Sequence, residues 1–86
     1  MNLTLEMDDT VNAGYVYFRP DRRPVDHTDE LDDRRLIDYD AHGNPLGIEF
    51  LGIRNGVDLR RLPQQVEPYH DALAALLERN HIPVYA

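Results

Sequence analysis

The chain of 86 residues contains no cysteine, no serine and no lysine. Without cysteine it has no disulfide bonds, thiolate zinc sites, iron–sulfur clusters or cysteine nucleophiles. Without serine and lysine it also lacks the residues needed for Ser-His-Asp and Ser-Lys hydrolysis, for Schiff-base chemistry and for the P-loop lysine. The catalytic chemistry that remains is acid–base or metal-dependent, with Asp, Glu, His and Tyr as its groups.

Long apolar runs are absent as well. No segment approaches the length of a membrane span or of the apolar region of a signal peptide, so we expect no membrane contact. The missing cysteines are consistent with a reducing compartment, and the cytoplasm is the expected location. The histidines show no recognisable metal-ligand spacing, so no metal and no cofactor is predicted.

The length predicts a single domain spanning residues 1–86. A chain of this size buries only roughly 60–65% of its unfolded surface, so its core is thin. Association with a second copy or with a partner would add stability.

The net charge of −7 is concentrated in the first part of the chain. Residues 1–50 hold 12 acidic residues and 5 arginines, whereas residues 51–86 hold 4 of each. This distribution argues against direct nucleic-acid binding, which needs clustered cations to meet phosphate. It permits attraction to a basic protein, although such a charge also simply keeps a small protein soluble.

Residues 36–53 form the segment around which the chain is organised. Apolar residues alternate on both sides of a turn, with Ile37 and Tyr39 before it and Ile48 and Phe50 after it. Each run is typical of a strand with one apolar face. The segment therefore predicts a β-hairpin whose aspartates point away from the core.

The register of this hairpin is open from the sequence. A two-residue loop at His42-Gly43 places Ile37 opposite Ile48 and Asp38 opposite Gly47. A four-residue loop could instead bring Asp38 opposite Glu49, where like charges are unfavourable by roughly 0.2–1 kcal/mol.

The same residues fit the spacing of a calcium-binding loop. Asp38, Asp40 and Glu49 stand at positions 1, 3 and 12, and Gly43 stands at the turn position 6. His42, however, replaces an oxygen ligand, and both flanks have strand periodicity where helices are required. The pattern favours the plain hairpin over a calcium site.

Further elements complete the predicted fold. Residues 1–7 alternate as a first strand, and Tyr15 to Arg19 predicts a central strand with Tyr15 and Tyr17 on one face. Residues 25–31 predict a short edge strand. Apolar residues recur at three- and four-residue spacing over 67–80 and predict an amphipathic helix. The expected fold is α+β, an antiparallel β-meander of four or five strands with one C-terminal helix packed on one face.

The hairpin also carries a family resemblance. The run Ile-Asp-Tyr-Asp-x-x-Gly-x-x-x-Gly-Ile-Glu-Phe-Leu, residues 37–51, resembles the signature of a family of short bacterial proteins of unknown function. A weaker match extends upstream to residues 14–18, so the resemblance covers residues 3–53. It implies a small α+β fold with an antiparallel sheet and suggests an antitoxin-like partner of a small toxin. It brings no catalytic residues.

Three hypotheses for function follow. The first is a protein-interaction module for a basic partner, with candidate binding residues Asp29, Asp32, Asp33, Asp38, Asp40 and Glu49. The second is a small metal-dependent or acid–base enzyme that uses Asp38, Asp40 and Glu49, with His42 nearby. The third is a structural homo-oligomer. Carboxylates that converge in a concave pocket would favour the enzyme, whereas a flat acidic face would favour binding.

Overall fold

The computed structural model describes residues 2–86 and confirms the predicted α+β class. Residue 1, where the predicted first strand begins, lies outside the described residues. The described residues form seven strands and one α-helix, in this order: β1 (Thr4–Asp8), β2 (Ala13–Tyr17), β3 (His27–Asp32), β4 (Arg35–Tyr39), β5 (Pro45–Leu51), β6 (Val57–Asp58), α1 (His70–Arg79) and β7 (Val84–Tyr85).

The main sheet has five antiparallel strands in the spatial order β1-β2-β5-β4-β3. Strands β3, β4 and β5 form a meander, and the β1–β2 hairpin adds to the free side of β5. The connection over residues 18–26 therefore runs from β2 to the far edge of the sheet, which is the spatial order of a Greek key. Pro20 and Pro24 lie in this connection, where their missing N–H groups disturb no strand pairing.

The central hairpin adopts the register of the shorter loop. Ile37 lies opposite Ile48 and Asp38 lies opposite Gly47. Beyond Asp38 the register shifts at a bulge, and Tyr39 pairs with Pro45. The connection is consequently longer than two residues and consists of residues 40–44.

The core lies between the sheet and the C-terminal segment. Val16, Ile48 and Ile37 are neighbours across three strands, and all three are completely buried. Leucines of α1 belong to the same apolar cluster. Each fully buried side chain of this size contributes about 1.5–3 kcal/mol relative to its exposed state. The apolar periodicity of the sequence thus identified the two surfaces that meet in the core.

The C-terminal helix is shorter than the predicted span of 67–80. Residues Glu67–Tyr69 form a 3-10 turn, with Pro68 in its first turn, and α1 follows directly. The helix ends because the side-chain amide of Asn80 donates to the carbonyl oxygen of Leu76, at 2.8 Å, and His81 adopts a positive φ of 60°. The N–H of Val57 then donates to the carbonyl oxygen of Pro83, which pairs β6 with β7 in parallel.

A buried arginine joins the main sheet to β6. The guanidinium of Arg35 donates from Nε to Asp32, at 2.9 Å, and from Nη1 to two backbone carbonyl oxygens, at 3.0 and 2.8 Å. These carbonyls belong to Asp58 and Arg60. A buried guanidinium is tolerated only when its donors are satisfied in this way.

The central row of the core provides a direct test of this packing. Replacing Ile48 by Ala should lower the free energy of unfolding by about 2–5 kcal/mol, because it removes buried methylene groups and leaves a cavity. Urea denaturation measures the loss. Leu51→Ala on the same strand is the matched control, since Leu51 is 38% exposed and should lose much less. Equal losses for the two variants would contradict the described core.

Candidate functional site

The six candidate carboxylates are distributed over separate parts of the fold. Asp38 and Glu49 lie on the sheet face that α1 does not cover, which we call the open face. Asp29 is opposite Ile37 and therefore faces the other side of β3. The others lie at opposite ends of the sheet, with Asp32 and Asp33 next to the β3–β4 turn and Asp40 in the β4–β5 turn.

Asp40 is buried, contrary to the expectation that it points into solvent. Its Oδ1 accepts the N–H groups of His42 and Asn44, both at 2.9 Å, and its Oδ2 accepts the side-chain amide of Asn44 at 3.2 Å. The N–H of Asn44 is the main reason that the pKa of Asp40 is lowered. Asp40 therefore holds the turn together. The Asp followed by Gly and Asn was the available signal for such an Asx-type turn.

Asp32 is also engaged within the fold. Its carboxylate accepts two donors of the Arg35 guanidinium, at 2.9 and 2.8 Å, and the N–H of Arg34 at 3.0 Å. The hydrogen bond from Arg35 is the main cause of its lowered pKa. Neutralising Asp32 would remove a partner of a buried arginine, so this residue is a poor choice for testing surface charge alone.

Asp38 is the anchor of a polar network on the open face. The hydroxyl of Tyr15 donates to Oδ2 of Asp38 at 2.7 Å, and the hydroxyl of Thr28 donates to Oδ1. The tyrosine ring crosses Gly47, where an added Cβ would lie only 2.4 Å from a ring carbon. Glycine at this position therefore allows the contact. Burial, followed by the hydrogen bond to Asp38, raises the pKa of the Tyr15 phenol.

Tyr17 extends this network toward β1. The ring centre of Tyr17 lies 4.6 Å from that of Tyr15, and the guanidinium of Arg22 lies 3.9 Å from the Tyr17 ring centre. Arg22 is also 3.6 Å from the carboxylate of Glu6. As predicted, Tyr15 and Tyr17 share one face of a central strand. That face is the open one, so the tyrosines are half-buried rather than part of the core.

Several carboxylates in this region have no cationic neighbour. Among residues 2–86, five carboxylates of this region take part in none of the ion pairs shorter than 4.0 Å. We define the acidic surface as five carboxylates that have no ion pair within 4.0 Å among residues 2–86 and that lie on β3, on β4, on β5 and in the β3–β4 turn. It consists of Asp29, Glu30, Asp33, Asp38 and Glu49. Their negative charge is thus available to a partner.

The described residues contain no group of three or more His, Asp or Glu side chains arranged to hold a metal ion. Asp38 projects from the open face, whereas the oxygens of Asp40 point into its own turn. The carboxylates of the calcium-like spacing do not converge. Within residues 2–86, these dispersed carboxylates do not form the convergent set that metal-dependent or acid–base chemistry would use.

Residues 5–54 match the protein family described as "Protein of unknown function (DUF2283)". This match covers more than half of the chain, and the protein belongs to that family. It includes the five-stranded sheet except Thr4, the first residue of β1, and ends before α1. No curated protein and no solved structure gives a significant match. Within residues 2–86, no helix is both long enough and apolar enough to cross a membrane.

Adding calcium tests whether the calcium-loop spacing of Asp38, Asp40 and Glu49 forms a binding site. Because the carboxylates do not converge, millimolar calcium should leave the Tm unchanged within error. A specific site with a Kd below the calcium concentration would raise stability by RT ln(1 + [L]/Kd). Thermal unfolding followed by circular dichroism makes the comparison. A saturable increase in Tm that disappears in Glu49→Gln would contradict the prediction.

Acid should destabilise the fold through its hydrogen-bonded carboxylates. The Arg60 side chain donates to both oxygens of Asp58, at 3.0 and 3.3 Å, and lowers the pKa of Asp58 from 3.8 to about 2. The stabilisation is therefore complete above pH 3.8 and is lost as the pH falls toward 2. In urea denaturation across this range, Asp58→Asn should show a shallower decline than the natural chain. Equal declines would assign the acid sensitivity to other groups.

Proposed function

We propose that this protein is an interaction module that binds a basic partner protein through its acidic surface. The observation that carries the proposal is that, within residues 2–86, the five carboxylates of the acidic surface have no arginine within 4.0 Å, although the chain has nine arginines. Ion pairs elsewhere neutralise much of the negative charge locally. Among residues 2–86, the five carboxylates of the acidic surface have no such ion pair, although Asp32 at the end of β3 is paired with Arg35.

Electrostatics explains how such a surface would act. Exposed charges attract a partner over a distance of roughly one Debye length, about 8 Å at physiological ionic strength. Complementary charge mainly accelerates association and selects the partner, while contacts made afterwards determine the lifetime of the complex. The acidic surface is therefore proposed to guide a cationic protein to the sheet.

The open face supports the same role. The sheet face that α1 does not cover is accessible to a partner, and Tyr15 and Tyr17 add half-buried aromatic surface there beside Asp38 and Glu49. Tyrosine is enriched in protein interfaces because its ring buries apolar area while its hydroxyl forms hydrogen bonds.

The resemblance of the hairpin allows a more specific form of the proposal. A small acidic protein that covers a basic toxin would act as an antitoxin, and we propose this role in the cytoplasm, where a chain without cysteine is suited to reducing conditions. Catalysis by Asp38, Asp40 and Glu49 has less support. Asp40 is engaged in its turn, and the three side chains do not meet.

Charge substitutions test the proposal once a native partner has been isolated with the natural chain as bait. In the test variant, Asp29→Asn, Glu30→Gln and Asp33→Asn remove three exposed charges while keeping Asp32 beside Arg35. We expect a slower on-rate and a flatter salt dependence, measured by surface plasmon resonance at several ionic strengths. Folding stability should change little, because exposed carboxylates contribute little to it.

The matched control is the variant Glu67→Gln, Asp71→Asn and Glu78→Gln, which removes three exposed charges from the C-terminal helical segment. Its net charge equals that of the test variant, so a difference between the two isolates the position of the charge. An on-rate that is insensitive to salt and identical in both variants would rule out the acidic surface as the binding site.

A further inference from the structure

Strand β3 is an exposed edge of the main sheet. Within the described residues it pairs with β4 on one side and with no strand on the other. Residues 27–30 are exposed, so neither face of this part of the strand is covered. An edge strand directs part of its backbone N–H and C=O groups away from the sheet, where a further strand can pair with them.

A cleft of about 450 Å³ lies beside this edge. His27, Asp29 and Leu31 line it from β3, and Pro63 and Gln65 line it from the segment before α1. The ring of His27 is stacked on the buried ring of Tyr39, with 5.1 Å between their centres. In an added strand, every second side chain would point toward this cleft and the others toward the open face.

The charges of β3 select the chemistry of the occupant. Asp29 and Glu30 both line the cleft, and the strand register places them on opposite faces of β3, so negative charge borders both faces of the edge. A second copy of the same edge would bring carboxylates close to carboxylates, and directly opposed like charges destabilise strand pairing. A cationic strand would replace this repulsion by attraction.

The opposite edge of the sheet, β1, is different. Its Glu6 is already paired with Arg22 at 3.6 Å, and that guanidinium lies over Tyr17. On β3, neither Asp29 nor Glu30 has an arginine within 4.0 Å among residues 2–86. Among residues 2–86, β1 thus holds one carboxylate without an ion pair, Asp8, whereas β3 holds two, Asp29 and Glu30. Of the two free edges, β3 therefore has the stronger complementarity to a cationic segment.

We propose that the free edge of β3 binds an extended, cationic segment of a partner protein as a sixth strand of the sheet. This inference rests on the proposed function, since the segment belongs to the same basic partner. It adds the mode of recognition: backbone hydrogen bonds supply affinity, and Asp29, Glu30 and the cleft select the side chains.

The test uses the full chain and two synthetic peptides of the same length as β3. Both alternate arginine with threonine, and in the second every backbone amide is N-methylated. The peptides carry the same charge, but the second has no backbone N–H donor to offer. Its affinity, measured by isothermal titration calorimetry at low salt, should be lower by about tenfold or more, because several backbone hydrogen bonds are lost.

Amide hydrogen exchange followed by NMR provides the second readout. The unmethylated peptide should slow exchange at alternate amides of residues 27–32, while the methylated peptide should not. The protein variant Asp29→Asn with Glu30→Gln should weaken peptide binding, whereas the control Asp71→Asn with Glu78→Gln should not. A glutamate–threonine peptide should fail to bind.

The possible failures are separable. Equal affinities for both peptides, with unchanged exchange in β3, would mean docking by charge alone; the inference would be wrong while the proposed function stood. Absence of binding by the unmethylated peptide also overturns strand addition, and the on-rate experiment with the native partner then decides the proposed function independently. Concentration-dependent protection of the same amides without peptide would assign the edge to a second copy instead.

Discussion

The fold depends on one constraint: its five-stranded sheet has two faces, and the part of the chain that the structure describes has one α-helix to cover them. Helix α1 packs on the face that carries the apolar row of Val16, Ile48 and Ile37, because burying these side chains supplies much of the stability of a small domain. The second face must then remain compatible with water. It carries carboxylates, tyrosines and a glycine, and this division of the sheet creates the surface available to a partner.

The positions of the arginines shape that surface. Arg35 is buried and joins the β3–β4 hairpin to β6, while Arg54 and Arg60 pair with Asp9 and Asp58. These contacts stabilise turns and connections at the periphery of the sheet. Among residues 2–86, no arginine lies within 4.0 Å of Asp29 or Glu30 on β3, whereas Asp32 at the end of that strand is paired with Arg35. The negative charge that is not neutralised is therefore concentrated on one part of the surface. The net charge of −7 does not by itself reveal this uneven distribution.

Features that depend on interactions between residues close in the sequence could be predicted, whereas features that depend on contacts between distant residues could not. Apolar alternation between Ile37 and Phe50 identified the central hairpin because strand periodicity is local. The three- and four-residue spacing of apolar residues before Asn80 identified the helix for the same reason. The exact register was left open because loop geometry, a bulge after Asp38 and the Asp40 hydrogen bonds decide it together. The burial of Asp40 was therefore mispredicted: a strand pattern was extended into residues that belong to a turn.

The sequence by itself determined the class of fold, the apolar faces, the absence of thiol, serine and lysine chemistry and the acidic character of the first fifty residues. Only the tertiary structure decided that β5 inserts between β2 and β4, that Tyr15 reaches Asp38 across Gly47, and that β3 is a free edge beside a cleft. The reason is physical. Composition and periodicity report what each segment prefers, whereas strand order, ion pairing and exposed edges arise from contacts between segments far apart in the chain.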